Sequence, residues 1–180
     1  MEIYMKKQAL IIHGLPDKQE YHEQDYPSPT NSHWLPWLQR QFLRADMLWQ
    51  KPEMPTPYAP VYDEWVDVIT PFVHDNVKVI VAHSAGCGFL LKWLSAHKDI
   101  ALDALVLVAP YTDPFGKYGD FLSGEWDENL MSRIGGMHLL YADNEFVPGV
   151  KESVDAILDM YPSADLHRFE QGGHFIESYM

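Results

Sequence analysis

Cysteine is nearly absent: Cys87 stands alone in 180 residues. No internal disulfide can form, so nothing ties the chain to an oxidising compartment, and a cytoplasmic location is expected. Positive charge is scarce as well, with 13 Lys and Arg against 26 Asp and Glu and a net charge of −13. Such a chain is repelled by nucleic acid phosphates and by anionic lipid surfaces, so neither is expected as a partner. Long hydrophobic runs are missing. After Lys6 and Lys7 the apolar stretch is only Ala9 to Ile12, too short for a signal-peptide core or a membrane span. The sequence also has no H-E-x-x-H, no paired Cys/His ligand spacing and no G-x-x-x-x-G-K-S/T loop, so no metal and no organic cofactor are expected. Repeats, low-complexity tracts and linkers are absent, which reads as one domain over residues 1–180.

What is present is a regular alternation. Six short apolar runs predict strands over Gln8–His13, Ala45–Gln50, Val77–Ala82, Ala104–Ala109, Met137–Tyr141 and Asp165–Phe169. Helical spacing appears between most of them. Ser32 is placed to cap a helix carrying Trp34, Leu38 and Phe42. Tyr62, Trp65, Val66, Ile69 and Val73 form a second stripe that Pro71 should shorten. Val150, Val154, Ile157, Leu158 and Tyr161 form a third. Strands alternating with helices predict an α/β, three-layer fold: about six mostly parallel strands with helices on both faces and no separate cap domain. Two connections lack one obvious helix, Leu15–Asn31 and Pro110–Gly136. Loops of that length are often functional, and these two are candidates for a lid or a partner surface.

The richest local signal is Ala82-His83-Ser84-Ala85-Gly86, directly after the β-branched run Val77–Val81. Phe89, Leu90, Trp93 and Leu94 then repeat on one helical face. A serine on a tight strand-to-helix turn projects its Oγ above the sheet, as a nucleophile must. An activated serine needs a base, and the base needs an orienter. In an open α/β sheet these should follow the carboxyl ends of strands. Asp143 follows the fifth strand and is the expected acid, with Glu145 a nearby substitute. His174, in Gly172-Gly173-His174-Phe175, follows the sixth and is the expected base. The oxyanion-binding groups are expected to be Ala85 N–H and Leu15 N–H, with Gly14 permitting the backbone at Leu15. His83 should pack beneath or beside the turn, and Cys87 should bury as a small apolar group. Tyr111, Phe115 and Trp34 are the expected substrate-binding residues, with Trp37 and Trp126 as further aromatic candidates.

Taken in order, Leu10–Gly14, Ser32–Leu38, Val79–Gly88, Tyr141–Pro148 and Gly172–Phe175 resemble small serine hydrolases of the retinoblastoma-binding protein 9 type. The resemblance runs from Gln8 to Phe175. It implies a compact, lid-poor α/β-hydrolase fold and hydrolysis of small-molecule esters through an acyl-enzyme, with Ser84 as nucleophile, Asp143 as acid and His174 as base. Two other readings stay open at this point: a thioesterase or peptidase using the same triad, and a non-catalytic protein-binding module on a hydrolase fold. The sequence departs from the pattern in three places. Ala82 replaces the commonest elbow glycine. The Leu15–Asn31 segment looks long and charged. The chain reaches Met180 with no length for a terminal helix after His174, which puts cover on one sheet face in doubt and leaves a protein partner or homodimer as one means of supplying it.

Overall fold

A computed structural model describes residues 6–178. The six strands fall where the apolar runs place them: β1 Gln8–Ile12, β2 Leu48–Gln50, β3 Val77–His83, β4 Ala104–Val108, β5 Met137–Ala142 and β6 Asp165–Phe169. All five pairings are parallel, in the order β2-β1-β3-β4-β5-β6. Only β2 is much shorter than its apolar run, because the first residues of that run close helix α2 instead.

Five helices cross between strands: α1 Lys18–His22, α2 Leu35–Arg44, α3 Tyr62–Ile69, α4 Ala85–Ala96 and α5 Val150–Met160. Right-handed crossovers put α2, which leads outward to β2, on one face of the sheet, and α3, α4 and α5 on the other. Pro71 sits in a 3₁₀ turn, Thr70–Phe72, that ends α3. Two corrections concern the long connections. Ser32 does not cap α2; its hydroxyl donates to Pro29 O, and Trp34 occupies the N-cap position without a side-chain bond. The Leu15–Asn31 segment is not plain loop. Asp17 accepts from Glu20 N–H while Glu20 reaches back to Asp17 N–H, a capping box that starts α1. Pro110–Gly136 carries only two 3₁₀ turns, Gly119–Phe121 and Leu130–Ser132.

The core lies on both faces of the sheet, against α3, α4 and α5 on one and against Leu35 and Phe42 of α2 on the other. On the α3, α4 and α5 face the sheet is sealed, and Leu105, Leu107, Met137 and Leu139 are fully buried there. On the opposite face the row Val106–His138–Asp165 runs from half-buried to exposed, and all five residues of β6 are exposed. The described chain continues past His174 to residue 178 without a further helix, and Met180 lies outside the described residues.

Connections from β1 and β3 leave in opposite directions, so the sheet's switch point lies between their carboxyl ends. There α4 crosses β1 at very short range. A Cβ on Gly86 would stand 2.4 Å from the His13 carbonyl oxygen. Gly86→Ala is expected to lower stability by about 2–3 kcal/mol, since neither a strand carbonyl nor a buried helix can give way cheaply. A thermal midpoint lower by about 5–10 °C would register this; an unchanged midpoint would show that helix and strand separate freely.

Candidate active site

Ser84 occupies the turn between β3 and α4 at φ 53°, ψ −127°. A non-glycine residue holds such a conformation only when its surroundings over-determine it. They do here: Ser84 N–H donates to Val108 O, and Ser84 O accepts from both Cys87 N–H and Tyr111 N–H. Ala82 is fully buried between β1 and β4 and takes the usual glycine position without displacing either strand. Cys87 is buried with its thiol facing Val108 O, and burial pushes the thiol well above its ordinary value. It is a packing residue.

His174 Nε2 lies 2.9 Å from Ser84 Oγ. The carboxylate on the far side of the imidazole is Glu145, with Oε2 and Oε1 at 3.0 and 3.1 Å from Nδ1. Asp143 is elsewhere. Its carboxylate is paired with Arg168 on the adjacent strand β6 and is about 38% exposed, whereas the Glu145 side chain is about 3% exposed. The reason lies in the turn after β5 and in the pairing of β6 with β5. Glu145 N–H closes a tight turn onto Ala142 O, so the chain reverses at the end of β5. Asp143 then faces along the sheet edge, and Glu145 faces back into the site. Glu145 Oε1 also accepts from Phe146 N–H and Val147 N–H, at 2.9 and 2.8 Å, which fixes the carboxylate plane.

The loop that carries His174 is held by four side chains from three places. Asn144 Oδ1 accepts from Gly173 N–H at 2.8 Å, and Glu145 holds the ring. His83 Nε2–H donates to His174 O at 2.9 Å, and His33 Nδ1–H donates to Ile176 O at 3.1 Å. His83 is thus more than packing beneath the turn, although its ring does bury against Trp34, His33 and His174. His13 acts on the other side of the serine. Its Nδ1–H donates to Gly14 O at 2.6 Å, and its Nε2 accepts from Met54 N–H at 3.0 Å. These opposite roles define one neutral tautomer.

A cavity of about 540 Å³ opens over Ser84. Gly14, Leu15 and Ala85 line it beside the serine, as do Tyr111 and Phe115 from the β4–β5 connection. A Cβ on Gly14 would be 3.0 Å from Ser84 Cβ, so the β1 loop must pass the serine without a side chain there. Trp34 is not a lining residue. It is about 1% exposed and lies edge-on to the His83 ring, beneath the site. Trp126 stacks on Tyr161 outside the cavity, and Trp37 does not reach it. Pro16, Glu20, Tyr21, Tyr26 and His33, supplied largely by the segment around α1, line it as well. Among the described residues no group of His, Cys, Asp and Glu has the arrangement of a metal site, and no helix is long and apolar enough to cross a membrane.

Burial lowers the His13 and His83 values below the ordinary 6.5, and for His83 the neighbouring His174, His33 and His13 add to the shift. Both histidines are therefore neutral in the fold and take up a proton on unfolding below pH 6.5. Their contribution to stability is complete above pH 6.5 and is lost as the pH falls below it, by up to about 1.4 kcal/mol per pH unit for each group. Denaturant midpoints measured between pH 7.5 and 5.5 should decline below 6.5. His83→Gln, which keeps a donor for His174 O but cannot titrate, should flatten that decline; an identical slope in the variant would refute the assignment.

The serine, imidazole and carboxylate stand in line at the carboxyl ends of β3, β6 and β5. The protein YdeN of Bacillus subtilis (strain 168) is 28% identical over 187 residues, covering 96% of this chain and 88% of its own. Its crystal structure superposes with a TM-score of 0.79 at 24% identity, over 97% of this chain and 93% of that one. An α/β serine hydrolase without a lid from Xanthomonas campestris shares the fold with a TM-score of 0.61 at 11% identity, over 98% and 77% of the two chains. The model of the serine hydrolase family matches residues 9–119, and the chain belongs to that family.

Proposed function

We propose that the protein hydrolyses carboxylic esters through an acyl-enzyme on Ser84, with His174 as the general base and Glu145 as the carboxylate that orients it. The observation that carries this reading is the unbroken line from Ser84 Oγ to His174 Nε2 at 2.9 Å and from His174 Nδ1 to Glu145 Oε2 at 3.0 Å. Within the family, the ordered motifs from Leu10–Gly14 to Gly172–Phe175 favour the retinoblastoma-binding protein 9 type. The single buried cysteine fits a reducing compartment, and the cytoplasm is the proposed location.

Ser84 Oγ attacks the ester carbonyl carbon as its proton passes to His174 Nε2. The imidazolium so formed is stabilised by Glu145, which also holds Nδ1–H in the required tautomer. When the tetrahedral intermediate collapses, the carbon–oxygen bond to the alcohol breaks and His174 returns the proton to that oxygen. Water then adds to the acyl-enzyme, giving its proton to His174, and Ser84 leaves with that proton restored. The net reaction is ester and water to acid and alcohol.

The oxyanion is received by Ala85 N–H and Leu15 N–H. Ala85 is the first residue of α4, so its N–H lies outside the helix's own bonding ladder and at the positive end of the helix dipole. Leu15 N–H belongs to the same peptide as Gly14 O. Because that peptide is planar and trans, holding the carbonyl with His13 Nδ1–H turns the N–H to the opposite side. His13 is thereby a positioning residue for the oxyanion site. His83, kept neutral by burial, holds the His174 carbonyl without adding a charge that would oppose the imidazolium.

A fluorophosphonate probe should label wild-type protein at Ser84 and leave Ser84→Ala unlabelled; an unlabelled wild type would sink the proposal. Glu145→Gln, which preserves shape and removes the charge, is expected to lower kcat for ester hydrolysis by about 10⁴-fold, the loss typical of an uncharged orienter. Asp143→Asn should change it by less than about threefold, in line with the small worth of an exposed ion pair. If the two losses were reversed, Asp143 would have to be restored as the orienting acid. Parallel assays on thioester and amide substrates distinguish an esterase from its two close relatives in chemistry.

A further inference from the structure

Phe115 and Phe146 are the two most exposed phenylalanines among the described residues, at 63% and 62%, and both line the cavity over Ser84. Neither hangs loosely. A Cβ on Gly173 would lie 3.0 Å from Phe146 Cε1, and a Cβ on Gly149 would lie 3.2 Å from Phe115 Cε2 and 2.8 Å from Tyr111 Cε2. Each ring therefore rests directly on glycine backbone. Val147 and Pro148 fill the stretch between them and also line the cavity. The result is one continuous apolar wall, exposed to solvent and seated on rigid supports. Apolar surface of this kind beside a reactive group gains free energy when an apolar ligand group covers it.

The position of the wall says which part of an ester it meets. Phe146 stands over the imidazole of His174, with ring centroids 6.2 Å apart and planes inclined by 60°. His174 Nε2 is the atom that hands its proton to the leaving oxygen. The group attached to that oxygen leaves beside the imidazole, next to which Phe146 lines the cavity. Another part of the lining is different in character, with Glu20, His33, Tyr21 and Tyr26. Lys117 is the one Lys or Arg among the lining residues and Glu20 the one carboxylate, so no charge cluster is present to hold an ionic alcohol.

We propose that the alcohol portion of the substrate is an uncharged apolar group of about benzyl or hexyl size, bound on Phe146, Val147, Pro148 and Phe115. The inference rests on the acyl-enzyme reading above, because it uses His174 as the donor to the leaving oxygen. It specifies the leaving side of the ester and assigns Phe146 and Phe115 as the residues that set specificity there.

The test compares two ester series by kcat/KM, which reports the acylation step in which the alcohol leaves. Ethyl, butyl, hexyl and benzyl acetate vary the alcohol, and ethyl acetate, butyrate and hexanoate vary the acyl chain. These alcohols are of similar leaving ability, so differences report binding. The hexyl-to-ethyl ratio is expected to reach about 10²-fold, since each buried methylene is worth roughly fourfold, while the acyl series rises by less than about fivefold. Phe146→Ala and Phe115→Ala, measured separately, should each cut the hexyl-to-ethyl ratio by at least about tenfold for Phe146 and severalfold for Phe115. A flat alcohol series, a gain that follows the acyl chain instead, or ratios unmoved in both variants would each overturn the proposal. Fluorophosphonate labelling of Ser84 in the same preparations separates the two failures. Labelled protein with a flat series overturns the alcohol site alone, whereas unlabelled wild type overturns the nucleophile on which it rests.

Discussion

The contact on which the site depends is the approach of α4 to the end of β1, where Gly86 passes the His13 carbonyl with no room for a side chain. That approach sets three things together. It brings the first N–H of α4 beside the β1 loop. It holds Ser84 in a backbone conformation that a free chain avoids. It also fixes the distance between the serine and the Gly14–Leu15 peptide. The parallel sheet supplies the frame, because β1 and β3 are adjacent strands whose connections diverge, leaving the crevice between them open. Strain at Ser84 persists because Val108, Cys87 and Tyr111 bond its backbone from three directions.

Around this point the protein uses histidine in two ways. His174 lines the cavity and meets Ser84 Oγ there. His13 and His83 are buried, are held neutral, and serve as shaped hydrogen-bond donors to main-chain carbonyls. A lysine or arginine at His83 would bring a charge next to the His174 ring. A serine or asparagine would lack the reach or the flat ring that packs against its neighbours. A neutral imidazole meets both conditions, as long as the interior remains dry enough to keep it neutral.

The strands and the Ser84 turn were legible because both are local. β-branched runs such as Val77–Val81 and Leu105–Val108 have few alternatives, and a serine between such a run and an apolar helix is a short-range pattern. The choice between Asp143 and Glu145 is not local. It depends on a turn that closes on Ala142 and on Arg168, which reaches Asp143 only because β6 pairs with β5. A clue did lie in the sequence: after a strand, the residue that closes a tight turn points back toward the strand end, and Glu145 is at that spacing. Trp34 misled for a related reason. An aromatic residue at a helix start beside polar loop residues looks the same whether it faces a cavity or lies under one, and here it lies under His83. The helix α1 could have been read from Asp17 and Glu20, whose spacing is that of a capping box.

The sheet is not equally secure from end to end. β3, which presents Ser84, is flanked by strands on both sides and is largely buried, whereas β6 is an edge strand with every residue exposed. Opening of a protein under native conditions begins where few contacts must be broken. The loop bearing His174 follows β6, so His174 hangs from an edge of the sheet and Ser84 from its interior. Amide exchange should therefore divide the catalytic line in two, fast near Gly172–His174 and slow near Ala82–Ser84. Opening at that edge would carry His174 away from Ser84 and back without releasing the strained serine turn.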